Sequence, residues 1–283
     1  MIRKIILVAV ILILASGAVA QRGTDETTSV TYFDGATTRT VALVPFDPVI
    51  YLITKLPRLP QPNAAVVRTV LSYPREGQHT YWWPKRGEPS YDGCTTDVLY
   101  RGERVMTGEP AGRTYCCGLT LEVLYRVLDR EERRVPSLTT ETTGLFKHLW
   151  FCRAVDALGP TEALETFGIG RPITKDDDVM PGDFVQIWRH NGSGHSVVFV
   201  AWAISRDGKI VGIHYWSTQP RTNGINFVTE AFGDGGDTID RRRTGFARLL
   251  PPDEWREVDA VAAARERFGI SLDPVEASKP ASR

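Results

Sequence analysis

The chain has 283 residues, 34 basic and 34 acidic side chains, a formal net charge of zero at pH 7 and 42% apolar content. The charge balance excludes the electrostatic footprint of a nucleic-acid binder, while the length and apolar share support one large folded domain or two small ones. Four cysteines are too few to staple a chain of this length.

At the N-terminus, Arg3 and Lys4 precede an apolar run from Ile5 to Ala15, and Ala18-Val19-Ala20 offers small residues where a signal peptidase cuts. Residues 1–20 are therefore expected to be a cleaved signal peptide, sending the chain to the periplasm or outside the cell. The alternative is an uncleaved anchor, although the run falls short of the roughly 20 residues that span a bilayer comfortably. No later segment is apolar enough to cross, so no stable membrane span is expected after cleavage.

Residues 21–72 read as an N-terminal extension of unknown role, with a β-prone piece at Thr40-Val41-Ala42-Leu43-Val44 and a short helix over 63–72. From 73 to 114 the chain is irregular and rich in Gly, Pro and Tyr, and Tyr81-Trp82-Trp83 is a candidate aromatic platform for substrate, with burial under the loop as the alternative. A strongly apolar helix spans 116–130, leaving Glu122, Arg126, Asp129 and Arg130 as a narrow polar stripe on which Glu122 and Arg126 can pair. One or two helices follow over 143–167, with a break near Gly159-Pro160. Residues 184–188, 195–204 and 209–219 then read as three strands, and the tail beyond about Ala263 is expected to fray. Helices first and an antiparallel sheet second make an α+β layout.

Two features carry chemistry. Cys116-Cys117-Gly118 stands at a helix N-terminus, where the macrodipole and free N–H groups favour a thiolate. His195 opens a strand after Gly192-Ser193-Gly194 and is the candidate base. Cys116 is the preferred nucleophile and Cys117 the fallback, with a buried core cysteine as the alternative for either.

Hairpin geometry points to a third member. Ser205-Arg206-Asp207-Gly208-Lys209 is a turn signal, and a three-residue loop with Gly208 in the left-handed region pairs Ser205 with Lys209. Counting outward in step from that pair sets Gln219 opposite His195, close enough for the amide oxygen to accept from the imidazole. A slip of two residues brings Ser217 there instead. His214 is the remaining choice, but the same ladder puts it on the other face.

Tyr115-Cys116-Cys117-Gly118-Leu119, Pro181-Gly182-Asp183 and Gly194-His195-Ser196-Val197-Val198-Phe199 together resemble the NlpC/P60 group of papain-like cysteine peptidases and amidases. There, a cysteine begins the central helix in an Asp-Cys-Ser-Gly-Leu type of pattern, Gly-Asp opens the first strand, and the base histidine starts the next. The chain departs from that pattern at Tyr115 and Cys117, which stand where an acid and a serine are usual. The resemblance implies a papain-like core, with the cysteine helix packed on an antiparallel sheet, as a catalytic domain over 73–255, leaving 256–283 as a C-terminal tail. It further implies a hydrolase cutting amide bonds in peptide or peptidoglycan-type substrate. Another acyl-transfer chemistry on the same scaffold and a non-catalytic wall-binding module are the alternatives. Asp183 reads as a residue that fixes its loop. No metal and no cofactor are expected, because histidines and cysteines lack ligand spacing. If any disulfide forms, Cys94 with Cys152 is the candidate pair. The sequence says nothing of oligomeric state.

Overall fold

The computed structural model describes residues 29–270 except 76–77, 86–87 and 131–133, so the expected leader and the last part of the tail lie outside the described residues. Strands β1 (Ser29–Phe33) and β2 (Thr38–Ala42) form a hairpin, followed by helices α1 (Pro48–Lys55) and α2 (Gln61–Ser72). A second hairpin, β3 (Val98–Tyr100) and β4 (Glu103–Met106), precedes α3 (Cys116–Asp129), α4 (Thr143–Trp150) and α5 (Gly159–Thr166). Then come β5 (Gly170–Ile173), β6 (Phe184–Trp188), β7 (Gly194–Ile204), β8 (Ile210–Gln219), β9 (Gly224–Ala231) and β10 (Gly245–Leu249), with α6 (Ala260–Phe268) last. These six strands build one antiparallel sheet in the order β5-β10-β6-β7-β8-β9, so the layout is α+β. Among the described residues no helix is long and apolar enough to cross a membrane.

Strand alternation gives the sheet two apolar faces. Val198, Val200 and Trp216 join the helices in the main core, while Val197, Phe199 and Tyr215 belong to a second cluster with Ile239 and Phe246. α3 is sunk into the main core, with Leu119, Leu121, Val123, Leu124 and Val127 fully buried. On its polar stripe Arg126, Asp129 and Arg130 face solvent, while Glu122 is buried. Glu122 does pair with Arg126, at 2.6 Å, but it is fully buried and also accepts from the Thr95 backbone and hydroxyl at 2.7 and 2.6 Å. A carboxylate out of water needs that many partners.

Several expectations are revised. The stretch 143–167 holds two helices with the break at 151–158, and Gly159 and Pro160 open α5, since proline is well suited to a first helical turn. Strands β5, β9 and β10 complete the sheet and were not foreseen from sequence pattern. The chain does not fray at Ala263. α6 continues to Phe268, capped by Asp259, whose carboxylate accepts from the Ala262 N–H at 2.9 Å, and closed by Gly269. The described part of the N-terminal extension packs into the domain: Leu52, Val66, Val67 and Val70 belong to the main core, and Leu43 bridges to Ser205.

Candidate active site

Thr120 joins the two elements that carry the site. One turn along α3 from Cys116, its hydroxyl lies 2.9 Å from Ser196 Oγ, the residue after His195, and it also accepts from Trp150 Nε1 at 3.2 Å. The start of β7 is thereby fastened to the first turn of α3. On the other side β6 pairs with β7, Ile187 opposite His195, and Asp183 anchors β6. The Asp183 carboxylate is fully buried and accepts from Asn63 Nδ2 at 2.9 Å, Met180 N at 2.9 Å, and Arg248 Nε and Nη2 at 2.8 and 2.7 Å. It fixes the loop and touches no reacting group.

Cys116 occupies the first position of α3. Tyr115, the N-cap, has an extended backbone and no capping side-chain bond, so the first-turn N–H groups keep their donor capacity. Gly118 is there for contact: a Cβ at that position would sit 1.8 Å from the Asp92 carbonyl oxygen. The absent side chain lets the loop at 91–93 lie directly on the helix start, where Tyr115 Oη donates to the Tyr91 carbonyl at 2.9 Å.

Gln219 does meet His195, although the ladder between the turn and the pair is not regular. Ser205 N donates to the Lys209 carbonyl at 2.9 Å, and Gly208 has φ +84°. Two bulges follow, with Val211 extra in β8 and Val200 extra in β7, and they cancel, restoring Val198 opposite Trp216. Beyond this point His195 Nε2 lies 3.0 Å from Gln219 Oε1. The amide oxygen only accepts, so Nε2 carries the proton and Nδ1 is left as the acceptor. Of the alternatives, Ser217 donates to the Ser196 carbonyl at 2.8 Å instead of reaching the imidazole. His214 stacks on Phe46, ring centroids 4.0 Å apart, and burial lowers its pKa to about 4.

The electrostatics separate the two adjacent thiols. A hydrogen bond from Cys117, the charge and hydrogen bonding of His195, and the Ser196 backbone N–H pull the Cys116 thiol well below its ordinary value, against the cost of burial. Burial, and then Cys116 itself, push Cys117 well above its own. Of the two thiols, Cys116 is the one whose surroundings favour the anion. It is 7% exposed and His195 6%. A cavity of about 670 Å³ reaches His195, and Tyr81 and Gln219 contribute to its wall. Cys116 itself does not line it.

The aromatic trio does not form one platform. Tyr81 lines the cavity, and burial followed by the adjacent Cys116 and Cys117 raises its phenol. Trp82 is covered by Arg113, 4.6 Å from its ring, and Trp83, 47% exposed, stands edge-on to Tyr115 at 4.9 Å. None of the four cysteines forms a disulfide, so Cys94 and Cys152 are not bridged. Among the described residues no group of three or more His, Cys, Asp or Glu side chains is placed to hold a metal ion.

The sequence reading missed three residues behind Gln219. Tyr215 Oη lies 3.1 Å from Gln219 Oε1 and 2.8 Å from Glu230 Oε2, and Arg189 grips Glu230 with Nε at 2.5 Å and Nη2 at 2.8 Å. Tyr215 was within reach of sequence argument, because it sits four residues before Gln219 on the same strand face. No family model, curated protein or solved structure matches the chain.

Proposed function

We propose that the protein is an exported cysteine hydrolase with a papain-like core that cleaves amide bonds in cell-wall peptide. The Cys116 thiolate attacks the carbonyl carbon, and the first-turn N–H groups of α3 receive the developing oxyanion. The His195 imidazolium gives its Nδ1 proton to the departing amine as the C–N bond breaks. The neutral ring then takes a proton from the water that attacks the thioester, and sulfur departs as thiolate from the acid product, which restores the thiolate and imidazolium. Gln219 keeps the ring oriented with Nε2–H toward its own oxygen. The observation that carries this reading is the single imidazole that meets Gln219 through Nε2 while standing beside a thiol at an uncapped helix start.

The cavity favours a polar substrate. Arg221, Asp237, Asn191 and Ser193 contribute to its wall beside His195, so it suits ionised and hydrogen-bonding groups better than a long acyl chain. Two measurements test the reading. Iodoacetamide with peptide mapping should label Cys116 below pH 7, where an ordinary thiol with pKa near ~8.5 is largely protonated, and should spare Cys117. An inert Cys116 would favour a non-catalytic binding module. Digestion of purified peptidoglycan followed by mass spectrometry should give new fragments with the wild type and none with Cys116→Ala; identical products would refute the hydrolase.

A further inference from the structure

Glu230 is a carboxylate buried against the site without touching the imidazole. It lies on β9, opposite Ile213, and is reached from His195 through Gln219 and the Tyr215 phenol. The phenol has one proton for two acceptors, and the carboxylate is both the nearer and the charged one. Tyr215 also sets its ring edge-on to His195, centroids 5.6 Å apart. Arg189, at the end of β6, closes the chain with its two-pronged grip, and both Arg189 and Glu230 line the cavity with His195.

We infer that Glu230, clamped by Arg189 and held by the Tyr215 phenol that packs edge-on to the imidazole, is a positioning residue whose charge steadies the His195 imidazolium, so that leaving-group protonation persists where the thiolate is already formed. This inference rests on the Cys116–His195 reading above. The charges around the ring form two ion pairs set side by side: thiolate and imidazolium, guanidinium and carboxylate. Burial opposes ionisation of Glu230, but hydrogen bonding and charge from Arg189, followed by the charge of His195, hold it below its ordinary value. The thiolate in turn adds to the forces that raise Arg189. The titratable and charged groups facing the imidazole region are Cys116 and Cys117 on α3, Tyr81 on its loop, Arg189 after β6, Tyr215 on β8, Arg221 on the following turn, Glu230 on β9 and Asp237 on the loop after β9, which lines the same cavity.

The test is Glu230→Gln in the full chain. Removing one negative charge leaves every proton in the cluster less tightly held. The pH midpoint of Cys116 alkylation and the titration midpoint of the His195 ring by NMR should both move down, by about one pH unit. A merely structural role gives the opposite sign, since a loosened pair lets Cys116 drift up toward an ordinary thiol. Unmoved or raised midpoints would overturn the inference. Should this variant fail to fold, Arg221→Gln removes the half-exposed cation 3.9 Å from the same carboxylate and should move both midpoints up by a few tenths of a unit; no movement then overturns it. A wild type lacking low-pH alkylation would instead refute the hydrolase reading, which keeps the two failures distinct.

Discussion

Replacing Asp183 by alanine removes the acceptor of four hydrogen bonds and leaves Arg248, itself 8% exposed, with only the Asp178 carbonyl at 2.5 Å. Asn63 keeps its bond to the Pro181 carbonyl at 3.0 Å, so the main penalty is an uncompensated buried guanidinium. Removing one partner of a buried ion pair costs about 3–5 kcal/mol. For a domain of this size that corresponds to a fall in Tm of roughly 6–20 °C. Urea unfolding monitored by tryptophan fluorescence gives the free energy directly. The double variant Asp183→Ala/Arg248→Met should recover much of the loss, because it removes the stranded charge as well as its partner. Below the transition, Cys116 should alkylate in Asp183→Ala at the wild-type rate, as befits a residue that fixes a loop. A loss under about 1 kcal/mol, or a folded variant with a displaced alkylation profile, would refute this account.

Two further outcomes follow from single contacts. His214 is buried neutral with its pKa lowered to about 4 from 6.5, so protonation favours the unfolded chain. Its contribution is complete above pH 6.5 and is lost as pH falls from there through about 4, amounting to about 3 kcal/mol at the acid end. Unfolding free energy measured across this window should fall more steeply in the wild type than in His214→Gln, and equal slopes would remove His214 as the cause. Gly118→Ala would force its Cβ against the Asp92 carbonyl, a backbone contact that cannot rotate away. Overpacking of that kind costs about 1–3 kcal/mol, and Cys116 alkylation should slow as the helix start shifts; an unchanged Tm would show that the 91–93 loop yields freely.

The contact between His195 and Gln219 is legible in the sequence because Gly208 sets a three-residue turn and everything outward is counting. The two bulges at Val200 and Val211 are not legible, since they answer to packing on the two sheet faces, and the count survives only because they are equal and opposite. Glu230 escapes for a related reason. Reading it as a buried partner of Tyr215 needs the β8–β9 register, which depends on Asn223 at φ 50° after a proline turn. An acid in an unforeseen strand gives no sign of facing inward. Asn63 and Arg248 lie at distances of 120 and 65 residues from Asp183, and nothing local announces that they meet there.

The two departures from the resembled pattern both find packing explanations. Tyr115 replaces an exposed type of cap with a ring that is 3% exposed, wedged between Trp83 and Phe151 and touching the 91–93 loop so closely that a Cβ on Gly93 would lie 2.3 Å from the ring. A carboxylate could not fill that space, and the helix start is held by aromatic contact where a cap would hold it by hydrogen bonding. Cys117, also buried, keeps a thiol proton beside Cys116, as a serine hydroxyl would. Cys117→Ser should therefore leave the alkylation midpoint of Cys116 nearly unchanged, while Cys117→Ala removes the donor and should raise it by about one unit, the worth of one hydrogen bond to a charged group. Equal shifts in the two variants would mean that sulfur at position 117 matters for its bulk alone.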